Sequence, residues 1–380
     1  MKLLPVPPWL RRAGVAFVGL LVIAVIATTW MSASVLGREF LEPRDVVADA
    51  DIEVLAVGEG RIVLTRTEQT QTDGIWGLIG ADAYGQVSSV VQVAGDEVER
   101  TFRPLSGAFV VGDEVRFDQY AYTGDPESAH GMSFEEVLIP GELGLYPAWL
   151  VDGDRDTWVV VVHGSGRDER KQALRLISTL ETARYPVLVI SYRNDQNAPA
   201  SPGGTYGWGL EEWRDLEAAL EFGKNRGADD FVVLGYGMGA TITAMFLHES
   251  DLISDVRGVI FDSPVLDLET AAIAALENRS IPGVIAGWAK ALARVRFGIE
   301  WDELDQLARA NQFDMPILLM HGSRDGVEPV AVADAFAEAR PDLVSYERFD
   351  GADHEQLWNT NPQRYERAVM NFLERVAAAG

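Results

Sequence analysis

The stretch Val232–Thr241, VVLGYGMGAT, carries an apolar run into a glycine-rich turn that opens a helix, and its reading decides the fold. Gly235, Gly237 and Ala240 fit G-x-G-x-x-A, a turn that holds a dinucleotide pyrophosphate. Asp262, 22 residues after Ala240, stands about where a ribose-binding acid belongs. The same letters fit the G-x-S-x-G elbow, a sharp strand-to-helix turn that presents a serine, except that the serine position is Gly237. The dinucleotide turn normally opens the first βα unit of its domain, whereas at least two such units precede this one.

Working outward, the elbow reading demands residues elsewhere, and they are present. "VVVVHGSGRD" places His163, Gly164, Ser165 and Gly166 after an earlier strand, a source of backbone N–H groups for an oxyanion. "PILLMHGSRDGVEP" places Asp325 past a later strand, and "RFDGADHEQLWN" places His354 past the last one. Acid and histidine thus follow the elbow in the order such a site requires. Between these loops, near-continuous apolar runs alternate with helical segments near 170–182, 210–222, 330–340 and 362–378, so a doubly wound, mostly parallel sheet is expected. Ligands of such sheets bind beyond the carboxyl ends of the strands, where these loops lie.

From about Ser133 to its end the chain resembles the α/β-hydrolase superfamily, in a bacterial lipase-like and serine-aminopeptidase-like branch. The segments "SYRNDQNAPASPGGTYGWGLEEWRDLEAAL" and "GADHEQLWNTNPQRYERAVMNFL" carry the resemblance together with the elbow. Members hold serine within G-x-S-M-G, so the resemblance puts the nucleophile position on Gly237, the acid on Asp325 and the base on His354. It implies oxyanion donors at the backbone of Met238 and Ser165, ester, lipid or peptide-like substrates, and no cofactor. The insert 268–313, with Trp288 and Trp301, falls where a lid or packed helical cap is expected.

The N-terminus is of a different kind. Ala13–Gly37, "AGVAFVGLLVIAVIATTWMSASVLG", is uncharged and long enough for one bilayer crossing. Lys2, Arg11 and Arg12 precede it, and Arg38, Glu39, Glu42, Arg44 and Asp45 mix signs after it. The positive-inside rule then leaves the N-terminus cytoplasmic and the bulk outside. A cleaved signal peptide is the competing reading, since Ser32, Ala33 and Ser34 are small. Alternating runs between Asp51 and Tyr122 predict a small antiparallel β module. The expected division is therefore an anchor at 1–37, a β module at 38–132 and a hydrolase domain at 133–380.

A net charge of −26 disfavours nucleic acid as a partner. The chain has no cysteine, which excludes disulfides and thiolate chemistry, and its five histidines show no metal-ligand spacing. Glycine at the nucleophile position predicts a catalytically impaired protein that keeps its cleft for a ligand or a protein partner. Loss of the nucleophile from a comparable triad costs about 2 × 10⁶ in turnover. Three alternatives stand beside this: a relocated nucleophile such as Ser165 or Ser263, a water activated by His354, and dinucleotide binding at the turn.

Overall fold

A computed structural model describes residues 7–43, 49–166 and 169–378. Lys2, Arg44 and Asp45, which entered the orientation argument, lie outside the described residues.

The segment between Ile52 and Asp118 closes into a barrel. Its strands are β1 (Ile52–Gly58), β2 (Arg61–Thr65), β3 (Trp76–Ile79), β4 (Tyr84–Ala94), β5 (Glu97–Ser106) and β6 (Glu114–Asp118), in the order β1-β2-β5-β4-β3-β6, with β6 returning to β1. Alternation along the strands turns Ile52, Val54, Ile62, Leu64, Val98 and Val115 inward. Closure removes the exposed edges that an isolated sheet of this size would carry.

The rest builds one eight-stranded sheet: β7 (Glu135–Gly141), β8 (Gly144–Val151), β9 (Thr157–Val162), β10 (Val187–Ile190), β11 (Asp230–Tyr236), β12 (Val256–Asp262), β13 (Ile317–Gly322) and β14 (Val344–Phe349). The order is β7-β8-β10-β9-β11-β12-β13-β14; the β7–β8 and β8–β10 pairs are antiparallel and the others parallel. Both faces of the sheet's centre are covered, so the central strands serve two cores. In β9, Val160 and Val162 pack on one side while Val159 and Val161 pack on the other. The chain has the α/β-hydrolase fold, with a long apolar helix and a closed β barrel ahead of it.

Helices at Trp213–Asn225, Val330–Ala339 and Pro362–Ala378 lie close to their expected places. The expected helix near 170–182 is instead a 3₁₀ turn at Glu169–Arg175 followed by a short helix at Ile177–Thr182. That tighter turn buries Gln172 and Arg175, both of which bond to the loop after β14.

The N-terminal helix spans Pro8–Leu36 and continues as a wider helical turn to Leu41. By length and composition it is able to cross a membrane. Its last turns are not separate from the hydrolase fold: Ala33, Leu36, Phe40 and Leu41 are buried in the larger core. The end of the Pro8–Leu36 helix packs against the helix Gly283–Phe297 of the 268–313 insert, where Gly37 leaves the space that the Phe297 ring occupies, and Phe40 packs on Trp208.

The barrel also touches the sheet domain. Asn359, in the short helix Leu357–Thr360 after β14, donates from Nδ2 to the carbonyls of Ile75 (2.8 Å) and Gln119 (2.7 Å). The Ile75 N–H donates back to the Asn359 carbonyl at 2.9 Å. The barrel therefore braces the segment that carries His354.

Candidate active site

The strand ends converge at the sites inspected in the sequence. Gly237 follows β11 with φ 46° and ψ −113°, a left-handed turn strained for any residue with a side chain. The helix it opens, Met238–Glu249, is buried almost throughout. Gly239 is required for a different reason: a Cβ there would collide with the carbonyls of Val162 and His163. Two of the glycines in GYGMGA are thus explained by elbow geometry, without any phosphate.

Asp325 lies three residues past β13 and His354 five past β14, and the two meet. His354 Nδ1–H donates to Asp325 Oδ2 at 2.8 Å. Asp325 Oδ1 accepts the backbone N–H groups of Val327 (2.8 Å) and Glu328 (3.0 Å), which fixes the carboxylate. Burial of the His354 ring pushes its pKa down. The adjacent Asp325 charge and hydrogen bond, then Glu355 and Asp262, outweigh this and raise it to about 10. Burial alone would raise Asp325, but the charge of His354, their hydrogen bond and His321 together hold it below the ordinary carboxylate range. The pair is an ion pair at neutral pH.

Gly237 and His354 are also neighbours: a Cβ on Gly237 would lie 3.3 Å from His354 Nε2. The same Cβ, however, would stand well under 3.0 Å from Oε1 of Glu355, and so would a Cβ on Gly164. One carboxylate oxygen of Glu355 thus fills the space between the elbow and the loop after β9, the place where any side chain on residue 237 would begin.

Glu355 is held there firmly. Its φ of 55° is unfavourable for a glutamate. Its N–H donates to Ser263 Oγ at 2.9 Å, its carbonyl accepts from Arg175 at 2.7 Å, and Gln172 Nε2 donates to its Oε2 at 2.5 Å. Gln172 Oε1 in turn accepts the Gly164 N–H at 2.7 Å, tying the glutamate to the loop after β9. Glu355 Oε1 lies 4.0 Å from His354 Nε2. Sequence reasoning missed Glu355, Gln172 and Arg175; adjacency to His354 was the only signal for the first.

Ser263, Asp262, His163 and Arg193, also singled out in the sequence, have structural partners. Met238 is buried at the first turn of the elbow helix, and Ser165 is exposed just past β9. Ser263 is buried with φ 48°, its hydroxyl donating to Asp262 (3.0 Å) and accepting from Glu355. Asp262 accepts from Tyr365 at 2.8 Å, and burial raises its pKa to about 6. His163 bonds Asp195 at 2.7 Å, and Arg193 bonds Asp215, Glu142 and Glu211.

A profile described as a domain of unknown function matches residues 53–118, the barrel. No curated protein matches the chain. Among solved structures, an esterase of Pyrococcus furiosus superposes with a TM-score of 0.54 at 21% identity, over 66% of this chain and 94% of its own. An esterase of Exiguobacterium antarcticum gives 0.47 at 14% identity, over 63% and 100%. At such identities the first likeness is one of fold, and the second adds nothing to it. A profile described as "Alpha/beta hydrolase family" matches residues 159–368, more than half of the chain. On that match, with the sheet order and the elbow in agreement, the chain belongs to the alpha/beta hydrolase family.

Proposed function

We propose that this is a single-pass membrane protein whose hydrolase domain has lost serine catalysis and keeps its cleft for an ester-like ligand. In this reading 1–37 is the anchor, with the N-terminus cytoplasmic, 38–132 the barrel module and 133–380 the extracytoplasmic hydrolase domain, capped by 268–313. Gly237 occupies the nucleophile position, Asp325 and His354 are the surviving acid and base, and Met238 and Ser165 lie at the oxyanion site.

The observation that carries the proposal is the carboxylate of Glu355 in the space a serine side chain would need. An anion there opposes the oxyanion of acyl transfer, which such sites stabilise with N–H donors. The esterases that share the fold point to esters as the ligand class. A water attacking between His354 and Glu355 would need His354 neutral, whereas the flanking carboxylates hold it protonated to about pH 10.

The test is fluorophosphonate labelling of the full chain in detergent. The unmodified protein is expected not to label, and Gly237→Ser alone to label poorly because Glu355 stands in the way. Gly237→Ser with Glu355→Ala should label, and adding His354→Ala should abolish it. Labelling of the unmodified chain at a mapped serine, or an ester hydrolysis it loses on His354→Ala, would overturn the reading.

A further inference from the structure

The cap helix Gly283–Phe297 inverts the usual arrangement of a surface helix. Its inward positions are small: Ala286, Ala289 and Ala293 are buried. Among its outward positions, Val284, Gly287, Trp288, Ala291 and Val295 recur at helical spacing as an uncharged stripe, with exposed Arg294 and Arg296 on either side. Val284 is 66% exposed, Trp288 52% and Val295 84%. An apolar stripe of this kind on an outer face marks an interaction site rather than a solvated surface.

What covers it is indicated by the helix beside it. Pro8–Leu36 packs on this cap helix, and the Arg296 guanidinium sits 4.4 Å from the Trp30 ring centre while Nη1 donates to Ser34 Oγ at 2.6 Å. From Arg12 to Met31 the N-terminal helix is largely uncovered, and Met31 is still 67% exposed. At about 1.5 Å per residue that length spans roughly 30 Å, the thickness of a bilayer's hydrocarbon core. The far edge of the bilayer then falls where the cap helix docks.

Charge agrees with this placement. In a chain of net charge −26, the cap helix holds Lys290, Arg294 and Arg296 and no acid. Lys290 pairs with Glu269, and Arg294 with Glu300 and Asp302, so these side chains are anchored beside the stripe. An apolar face with tryptophan, flanked by basic residues, is the pattern of a helix that lies in a membrane interface.

We propose that the cap helix lies in the outer leaflet of the bilayer that the N-terminal helix crosses, with Val284, Trp288 and Val295 in the lipid. The domain then rests cap-down on the membrane instead of swinging on a tether. A cavity of about 290 Å³ lies beside this contact, lined in part by Leu41, Tyr206, Trp208, Phe297 and Ile299. Tyr206 connects it to the loop after β9 through a hydrogen bond to Gly166 at 3.0 Å. The inference rests on the proposal that Pro8–Leu36 spans a bilayer.

Because the chain has no cysteine, single spin labels can be placed freely. Val284→Cys and Val295→Cys would be labelled with a nitroxide in the full chain, beside Val22→Cys in the N-terminal helix and Val57→Cys on the barrel. The proteins would be reconstituted in mixed phosphatidylcholine and phosphatidylglycerol vesicles. All four positions are exposed, so the fold should survive, and circular dichroism checks it. Collisions with oxygen relative to an aqueous nickel chelate are expected to be several-fold higher at 22, 284 and 295 than at 57. If 22 reads as lipid while 284 and 295 read as water, the inference fails and the span stands. If 284 and 295 are shielded from both reagents, a protein such as a second copy covers the stripe, and the inference fails. If 22 reads as water, the span is wrong and the inference falls with it.

Discussion

Oε1 of Glu355 stands where the side chain of residue 237 would begin, so Gly237 and Glu355 are complementary. Neither a serine at 237 with this glutamate in place nor a glutamate pointing elsewhere would preserve the observed packing. The glycine is therefore part of a paired arrangement, and the pair makes a measurable prediction.

Gly237→Ala should destabilise the fold by more than the roughly 1–3 kcal/mol that a left-handed non-glycine residue costs. In a Glu355→Ala background the cost should fall to that strain alone. The resulting coupling between the two positions is expected within about 0.5–3 kcal/mol. Denaturant unfolding of the four proteins in detergent measures it, and strict additivity would remove the complementarity.

His354 should titrate near pH 10, against an ordinary value of about 6.5. A folded pKa raised above the unfolded one contributes stability that is fully present below about pH 6.5 and is lost as pH rises through about 10. Removing a neighbouring negative charge lowers the midpoint, so Glu355→Gln should move it down, and Asp325→Asn further. Imidazole resonances followed by NMR across this range report the midpoints directly.

Asn359→Ala should loosen the barrel from the sheet domain. The substitution leaves the carbonyls of Ile75 and Gln119 without their donor and takes away the Oδ1 that Arg175 Nη1 reaches at 3.2 Å. A fully buried unmet group costs about 1–3 kcal/mol, and these half-buried carbonyls should cost less. Hydrogen exchange should speed up at Ile75 and around Gln119 while Leu64, inside the barrel, keeps its protection; equal acceleration at all three would mean global unfolding instead.

Arg100→Lys should weaken the barrel despite keeping the charge. The buried guanidinium donates to the carbonyls of Ser88, Thr70, Thr72 and Gly74 at 2.5–3.0 Å. An ammonium is a point donor and cannot span that set. A lower unfolding midpoint with altered near-ultraviolet signals from Trp76 and Phe117, which pack 6.1 Å apart, is the expected outcome.

Much of this was legible in the chain. Period-two runs announced the barrel strands, continuous valine and leucine runs the parallel sheet, and the order of Gly237, Asp325 and His354 the loops that meet at the strand ends. These features depend on residue type and spacing along one segment, which is information a linear chain carries. The expected helix near 170–182 failed because Gln172 and Arg175 are drawn inward by the loop after β14, a demand from residues some 180 positions away.

The residues alone determined that the elbow has no serine and that an uncharged 25-residue stretch, Ala13–Gly37, lies near the N-terminus. Tertiary structure decided what fills the space beside Gly237 and where that stretch ends. Glu355 reaches Gly237 only because Ser263, Arg175 and Gln172, from two other segments, hold its backbone and carboxylate. Likewise, the last turns of the N-terminal helix belong to the hydrolase core because the helix Gly283–Phe297, some 250 residues later, and Trp208 supply the apolar surface that buries them. Both outcomes are long-range contacts, formed when distant segments compete for the same buried space, and no local pattern encodes them.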